Sequence, residues 1–300
     1  MSNPLVSVII PTYKQRGLLE ATIESVLTQT YKNYEIIVVD DNSPETQERK
    51  STEDIMSKYA DNPIITYIKH EVNKNGAAAR NTGFKASSGV YIAFLDDDDF
   101  WMPDKLEKQV EYLQKHPEFD SVYTYIVING VKNPNKCMTG NIVVPYLMNY
   151  VSLQTSCLLF TRKSVEAING FDESFRRHQD YELLIRFFLG GFQIGCIPEY
   201  ISGMNAVGGN RMSGEKLDEL KEKFFATFDS PLNTLDSQTP GIKKKIIVAN
   251  YVKNFESHMA GKNYNFAWAI VKKYLPMSPT TFLSQCWHLS VLHIKRKLQK

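Results

Sequence analysis

Between residues 5 and 95 the chain repeats one pattern: a short apolar run, a polar loop, then a segment whose apolar residues fall at helical spacing. The run Leu5-Val6-Ser7-Val8-Ile9-Ile10 stops at Pro11, whose ring removes a backbone donor, and residues 18–29 then carry Leu19, Ile23, Val26 and Leu27 on one helical face. A second run, Tyr34-Glu35-Ile36-Ile37-Val38-Val39, ends at Asp40-Asp41-Asn42-Ser43-Pro44, residue types that turn the chain and cap the helix expected over 45–59. A strand over 64–69, a helix over 76–86 and a strand over 90–95 complete the rhythm. Apolar strands alternating with helices predict an α/β fold, a mixed and mostly parallel sheet with helices on both faces. Ligands of such sheets gather at the carboxyl ends of the strands. Pro11-Thr12-Tyr13, Asp40-Asp41 and Asp96-Asp97-Asp98-Asp99 follow the first, second and fourth strands, so they should meet in one crevice.

The acidic run is the most unusual of these. Four adjacent carboxylates repel one another, and at the end of a buried strand they cost free energy that a cation or cationic ligand would offset. A turn that caps the next helix is the plainer explanation, yet Asp104, after Pro103, is better placed to serve the helix expected over 104–116. Further on, residues 119–144 read as short strands with turns at Asn129-Gly130 and Asn133-Pro134. A β segment at Leu158-Leu159-Phe160 leads into a helix near Arg162, and a helix over 179–189 precedes a strand near 192–197. Beyond Gly214 the character changes to a charged helix over 215–228, a Ser-, Pro- and Thr-rich linker over 229–241, and a helical pair over 242–259 and 264–274. The expected division is a catalytic domain over 1–214 and a helical region over 215–300.

Composition removes several function classes. A net charge of +2 with widely spread basic residues argues against a nucleic-acid partner. Cys137, Cys157, Cys196 and Cys286 stand far apart without C-x-x-C or zinc spacing, which fits a reducing cytoplasm. The start of the chain lacks a basic n-region and residues 5–10 are too short for a signal or spanning segment, so neither is expected. In the tail, Trp287, Leu289, Val291, Leu292 and Ile294 sit beside His288, His293, Lys295, Arg296, Lys297 and Lys300. That mixture suits peripheral attachment to an anionic membrane, but an ordinary terminal helix with a solvated basic end accounts for it too, and the shortness of the segment favours the latter.

Set in order, Val6-Ser7-Val8-Ile9-Ile10-Pro11-Thr12-Tyr13, Ser25-Val26-Leu27-Thr28-Gln29-Thr30-Tyr31, Glu35-Ile36-Ile37-Val38-Val39-Asp40-Asp41-Asn42-Ser43, Asn75-Gly76 with Ala79-Arg80-Asn81-Thr82-Gly83, Phe94-Leu95-Asp96-Asp97-Asp98-Asp99 and Gly170-Phe171-Asp172-Glu173 resemble a family 2 glycosyltransferase of GT-A fold over about residues 5–213. The resemblance implies an inverting transferase that uses a UDP-sugar donor, a Mn2+ or Mg2+ ion and a glycan or lipid-linked oligosaccharide acceptor in bacterial surface polysaccharide synthesis. It implies that Pro11, Thr12 and Tyr13 line the nucleobase end and that Asp41 accepts a hydrogen bond from uracil; a packed aromatic for Tyr13 and a helix cap for Asp41 are the structural alternatives. Asn75 belongs to the same donor site, and Arg80 meets the diphosphate or a sugar hydroxyl, or serves only as an ion-pair partner. Asp96-x-Asp98 resembles the D-x-D signature, with Asp98 on the metal, Asp96 on the ribose or a metal-bound water, Asp97 in the variable position of the donor site and Asp99 orienting the loop or touching the donor sugar.

In the family the general base is the Asp of a stretch matching Arg176-Arg177-His178-Gln179-Asp180-Tyr181-Glu182-Leu183, which makes Asp180 the catalytic residue and Glu182 its fallback. A helix N-terminus there should lower its pKa. Many relatives have a metal-binding His after the base, whereas residues 205–213 have none, and Arg211 beside Gly208-Gly209 is instead expected on a loop that closes over the diphosphate. A dinucleotide-binding enzyme would need G-x-G-x-x-G after the first strand, where Pro11-Thr12-Tyr13-Lys14-Gln15-Arg16 stands, and no P-loop occurs. A phosphatase with an aspartyl nucleophile would want Thr or Val where Phe100 stands. The remaining competitor is an inactive domain serving as a scaffold, against which Asp98 and Asp180 both argue.

Overall fold

The computed structural model describes residues 3–14, 17–205 and 215–297. The chain divides into one unit made of Met1–Asn133, Cys137–Ile142 and Leu153–Ala206 and another made of Pro134–Lys136, Val143–Ser152 and Val207–Lys300. The first holds strands β1 (Val6–Thr12), β2 (Tyr34–Asp40), β3 (Ile65–Lys69), β4 (Tyr91–Phe94), β5 (Asp99–Trp101), β6 (Ser121–Ile128), β7 (Val131–Lys132), β8 (Leu158–Thr161) and β9 (Ile194–Met204). They form a sheet ordered β3-β2-β1-β4-β8-β6-β9-β5, with β7 paired to β6. The half built from β3, β2, β1 and β4 is parallel. β8 then enters antiparallel to β4 and β6, β9 lies parallel to β6, and β5 closes the order antiparallel to β9. This mixed α/β sheet agrees with the fold class read from the sequence.

The two-residue period of the strands sorts their side chains. Val8 and Ile10 of β1 and Ile36 and Val38 of β2 join a core with Leu19, Ile23 and Val26 of α1 (Leu19–Leu27), Met56 of α2 (Gln47–Ser57) and Leu106, Val110 and Leu113 of α4 (Lys105–Lys115). The alternate residues Ile9 and Val39 meet α3 (Gly76–Ala86) instead. There Gly83 lets helix and strand approach closely, because a Cβ added to it would overlap Ile9 Cγ2 and lie 3.2 Å from Val39 Cγ2. We therefore expect Gly83→Ala to destabilise the protein by about 1–3 kcal/mol, measured by denaturant unfolding, although alanine is the better helix former. Phe94 continues the same face into an aromatic cluster with Phe160 of β8, Phe171 and, through Phe160, Phe187 of α7 (Gln179–Leu189). α6 (Arg162–Ala167) follows β8, its first turn capped by the Thr161 hydroxyl.

The second unit comprises α5 (Val143–Leu147), α8 (Glu215–Thr227), α9 (Asp229–Gln238), α10 (Ile242–Ala260), α11 (Tyr264–Tyr274) and α12 (Pro279–Lys297). Val248, Tyr251 and Val252 of α10 form its core with Ile270 and Tyr274 of α11 and Phe282 of α12. Residues 143–152, which fall inside the expected catalytic stretch, pack here: Asn250 Nδ2 donates to the Leu147 carbonyl at 2.7 Å and Gln285 Nε2 to that of Met148 at 3.1 Å. The linker expected over 229–241 is largely α9, since Pro231 falls in its first turn, where a missing N–H costs nothing. No helix among the described residues is long and apolar enough to cross a membrane.

Candidate active site

Beyond the carboxyl ends of β1, β2 and β4, a cleft of about 220 Å³ is lined by Pro11, Thr12, Tyr13, Asp41, Gly76, Ala79, Arg80, Asp96, Asp97 and Asp98. Eight of these residues are among those expected at a nucleotide-sugar site from the sequence. Tyr13 is 48 % exposed, and the loop that carries it is held by Asn42, whose Oδ1 accepts from the Lys14 N–H at 2.9 Å. It is thus an exposed ring, with Lys14 Nζ 5.2 Å from its centroid, and not a packed core one.

Asp40 and Asp41 do different work. Asp40 is buried against Arg49 at 3.2 Å and the Tyr67 hydroxyl at 2.6 Å, and its Oδ1 accepts from the Asn42 N–H, which fixes the turn after β2. Asp41, only 1 % exposed, holds the approach to α3. Its Oδ1 meets His70 Nδ1 at 2.7 Å and the Lys74 N–H at 2.8 Å, and its Oδ2 meets Asn73 Nδ2 at 2.7 Å and the Asn75 N–H at 2.9 Å. A carboxylate has about four acceptor directions, and these partners occupy them, so a uracil imide reaches Asp41 only by displacing one. Asn75, expected at the donor, is the N-cap of α3: its Oδ1 accepts from Ala77 and Ala78 and its Nδ2 donates to the Glu173 carbonyl at 2.9 Å. It shapes the cleft without being one of its lining residues. Asn75→Ala should cost about 1 kcal/mol of stability, read from the shift in unfolding midpoint.

The acidic turn relieves its repulsion by dividing its partners. Arg80 Nη2 pairs with Asp96 Oδ1, the Thr12 hydroxyl donates to Asp97 at 2.5 Å, and the Ser156 hydroxyl donates to Asp99 at 2.5 Å. Burial pushes Asp97 up to about 6 despite the Thr12 hydrogen bond, with Asp98 and Asp96 adding to the rise. Asp99 goes higher, to about 8, because burial and the charge of Asp96 outweigh the Ser156 bond. Buried at the start of β5, Asp99 is not a cleft residue; of the two roles expected for it, orienting the loop is the one its surroundings permit. Asp98 lines the cleft, and its carbonyl accepts from Asn205 Nδ2 at 3.1 Å. The backbone of the turn is held from α1, where the Thr22 hydroxyl donates to the carbonyl of Asp99 at 2.8 Å. Gln29 donates to the Met102 carbonyl and accepts from the Leu106 N–H, tying α1 to the start of α4. Asp104 makes no cap bond to α4; its carboxylate pairs with Lys108 at 2.7 Å.

The first turn of α7 reaches this region. Gln179 Oε1 accepts from Arg80 Nη1 at 2.9 Å, and a Cβ on Gly76 would stand 3.2 Å from the same oxygen. Asp180 follows directly in the helix and feels the charges of both Arg80 and Asp96. Its pKa is raised, which corrects the expectation of a lowered one: burial outweighs the backbone N–H groups of Tyr181 and Asp180 and the charge of Arg80. Glu182, the fallback base, is buried in an ion pair with Arg186. Arg211 and the loop expected to carry it lie outside the described residues. Sequence reasoning missed Gln179, Ser156 and Thr22. Gln179 stood beside the candidate base, whereas Ser156 and Thr22 gave no signal beyond their type, because their partners are distant in the chain.

Comparison with known proteins shows the family. Residues 7–184 match Glycosyl transferase family 2, and the chain belongs to that family. It is a glycosyltransferase. It is 31% identical over 238 residues to WfgD of Escherichia coli, a UDP-Glc:alpha-D-GlcNAc-diphosphoundecaprenol beta-1,3-glucosyltransferase, covering 78% of this chain and 90% of WfgD. It is also 31% identical over 230 residues to the amylovoran biosynthesis glycosyltransferase AmsB of Erwinia amylovora, covering 72% and 75% of the two chains. Among solved structures, TarS of S. aureus in complex with UDP-GlcNAc shares the fold with a TM-score of 0.65 at 17% identity, over 91% of this chain and 81% of that one.

Proposed function

We propose that the protein moves a hexose from a UDP-sugar to an acceptor hydroxyl on a lipid-linked glycan, with inversion at the anomeric carbon. The observation that carries this reading is the double contact of Arg80, which joins the acidic turn through Asp96 to the base-bearing helix through Gln179. Donor side and acceptor side are thereby held in one register, as a direct displacement demands. In this reading Pro11, Thr12 and the exposed ring of Tyr13 receive the nucleobase. Asp41 and Asn75 set the loop behind it, and Asp96 and Asp97 face the ribose and phosphates.

A divalent cation fits the donor set. The carboxylates at the cleft are hard oxygen ligands, and no group of three or more His, Cys, Asp or Glu side chains converges among the described residues, so Asp98 would hold Mn2+ or Mg2+ together with donor phosphates and water. When bound, the ion supplies charge that stabilises the departing diphosphate. Asp180 takes the proton from the acceptor hydroxyl on the other side of the sugar, and its raised pKa makes it a stronger base than an exposed aspartate.

WfgD supports glucose as the first donor to test and a GlcNAc-diphosphopolyprenol as the first acceptor. With AmsB it supports a role in bacterial polysaccharide synthesis, and the lipid-linked acceptor places that role, in our reading, at the cytoplasmic face of the membrane. Incubating the protein with UDP-glucose, UDP-GlcNAc or UDP-glucuronate and either metal, and following UDP release by mass spectrometry, tests the reading. Release without metal dependence, or none from any UDP-sugar, would sink it, the latter in favour of an inactive scaffold. Arg80→Lys keeps the charge but cannot hold both Asp96 and Gln179 in a fork. It should lower kcat about ten- to a hundredfold in steady-state assays with donor KM changed less.

A further inference from the structure

We infer that the solvent-facing side of α12 is a docking surface for the headgroup layer of an anionic lipid bilayer. This rests on the membrane-side placement proposed above and gives it a surface. Leu283, Trp287 and Ile294 are 63 %, 75 % and 56 % exposed, and their spacings of four and seven residues set them on one stripe of the helix. The stripe is fixed, because the opposite side is anchored: Phe282 is buried in the core of its unit, Cys286 and Leu289 pack against that core, and Gln285 is buried with its amide on the Met148 carbonyl. The sequence grouped Leu289 with the tail's apolar residues, but it turns inward, and His288 lies against the Tyr150 ring. Single exposed apolar residues are ordinary, whereas an aligned stripe centred on a tryptophan marks an interaction surface.

Charge selects the occupant. Residues 242–300 carry eleven Lys and Arg against one acidic residue, Glu256, in a chain whose net charge is only +2. Lys295 is exposed beside Ile294 at the end of the stripe, and on α11 the exposed Trp268 has Lys272 over its ring at 5.6 Å. Tryptophan prefers the bilayer interface, and an apolar stripe plus a polybasic region supplies the two signals that reversible anchoring needs. A second copy of the chain is the poorer occupant, since a symmetric contact would bring these cations against themselves.

Flotation of the full chain with phosphatidylcholine vesicles, with and without phosphatidylglycerol, tests this. We expect binding only to the anionic vesicles, weakening with salt, and quenching of Trp287 by brominated acyl chains in a Trp268→Phe background, where the one other tryptophan, Trp101, is buried. Leu283→Ser with Trp287→Ser should reduce vesicle binding about tenfold or more while leaving UDP-sugar hydrolysis and the circular dichroism spectrum unchanged. Lys295→Glu should weaken it as well. Absence of binding to anionic vesicles at low salt, equal binding by the double variant, or a solution dimer that the double variant dissolves would each overturn the inference. Hydrolysis is read separately, so a protein that binds vesicles yet releases no UDP counts against the proposed chemistry alone.

Discussion

Asp180→Asn should lower the rate of transfer by about 10²–10⁴-fold while leaving the affinity for the UDP-sugar nearly unchanged. The change is isosteric and removes only the proton acceptor, and the residue is placed on the helix that Arg80 ties to the acidic turn. The pH profile gives the stricter test. Because burial raises the Asp180 pKa, the acid limb of the wild-type profile should lie above the ordinary carboxylate range, with activity rising as pH rises through it and the limb missing from the variant. Stability runs in the opposite direction. A carboxyl that is harder to ionise in the folded protein binds its proton more tightly there, so its contribution falls as pH climbs from the ordinary value through the raised one. At neutral pH the variant should therefore melt no lower than the wild type. A loss of activity with unaltered melting assigns the role to chemistry, and full transfer activity in the variant would remove Asp180 as the base.

The parts of the fold that were legible in the sequence are those governed by local pattern. Apolar runs ending in Pro11 and Asp40, and the spacing of Leu19, Ile23 and Val26, report burial directly, and the strands and helices lie within a few residues of where these signals put them. The helix over 179–189 coincides with its expected span. What escaped depends on partners distant in the chain. Nothing near Thr22 or Gln29 announces that α1 braces the turn at Asp99 and the start of α4, although the run from Ser25 to Tyr31 was already part of the family pattern. Composition suggested a linker where Pro231 in fact opens a helix, because the same residues serve both. The direction of the Asp180 shift turned on burial, which a helix-terminus argument leaves out. The motif assigns Asp41 and Asn75 to the donor site but does not show that Asp41, a cleft residue, also pins the approach to α3, or that Asn75 caps that helix.

Asp98→Ala should abolish metal-dependent donor binding and cut the rate about a thousandfold or more, the scale expected when several kcal/mol of charge stabilisation at a departing diphosphate is lost. The acidic turn makes this separable from misfolding. Asp98 helps to raise the pKa of both Asp97 and Asp99, so removing its charge relieves repulsion, and the unliganded variant should melt at the same temperature as the wild type or above it. Adding Mn2+ and UDP together should then raise the melting temperature of the wild type, because ligands that bind only the folded state stabilise it, and should leave the variant unmoved. Asp96→Asn is the informative contrast. It removes the charge paired with Arg80 and frees the guanidinium that links the turn to Gln179, so it should impair turnover while preserving the thermal response to Mn2+ and UDP. If Asp98→Ala keeps that response and Asp96→Asn loses it, the metal belongs to Asp96, and the division of labour within the four aspartates is the reverse of the one proposed.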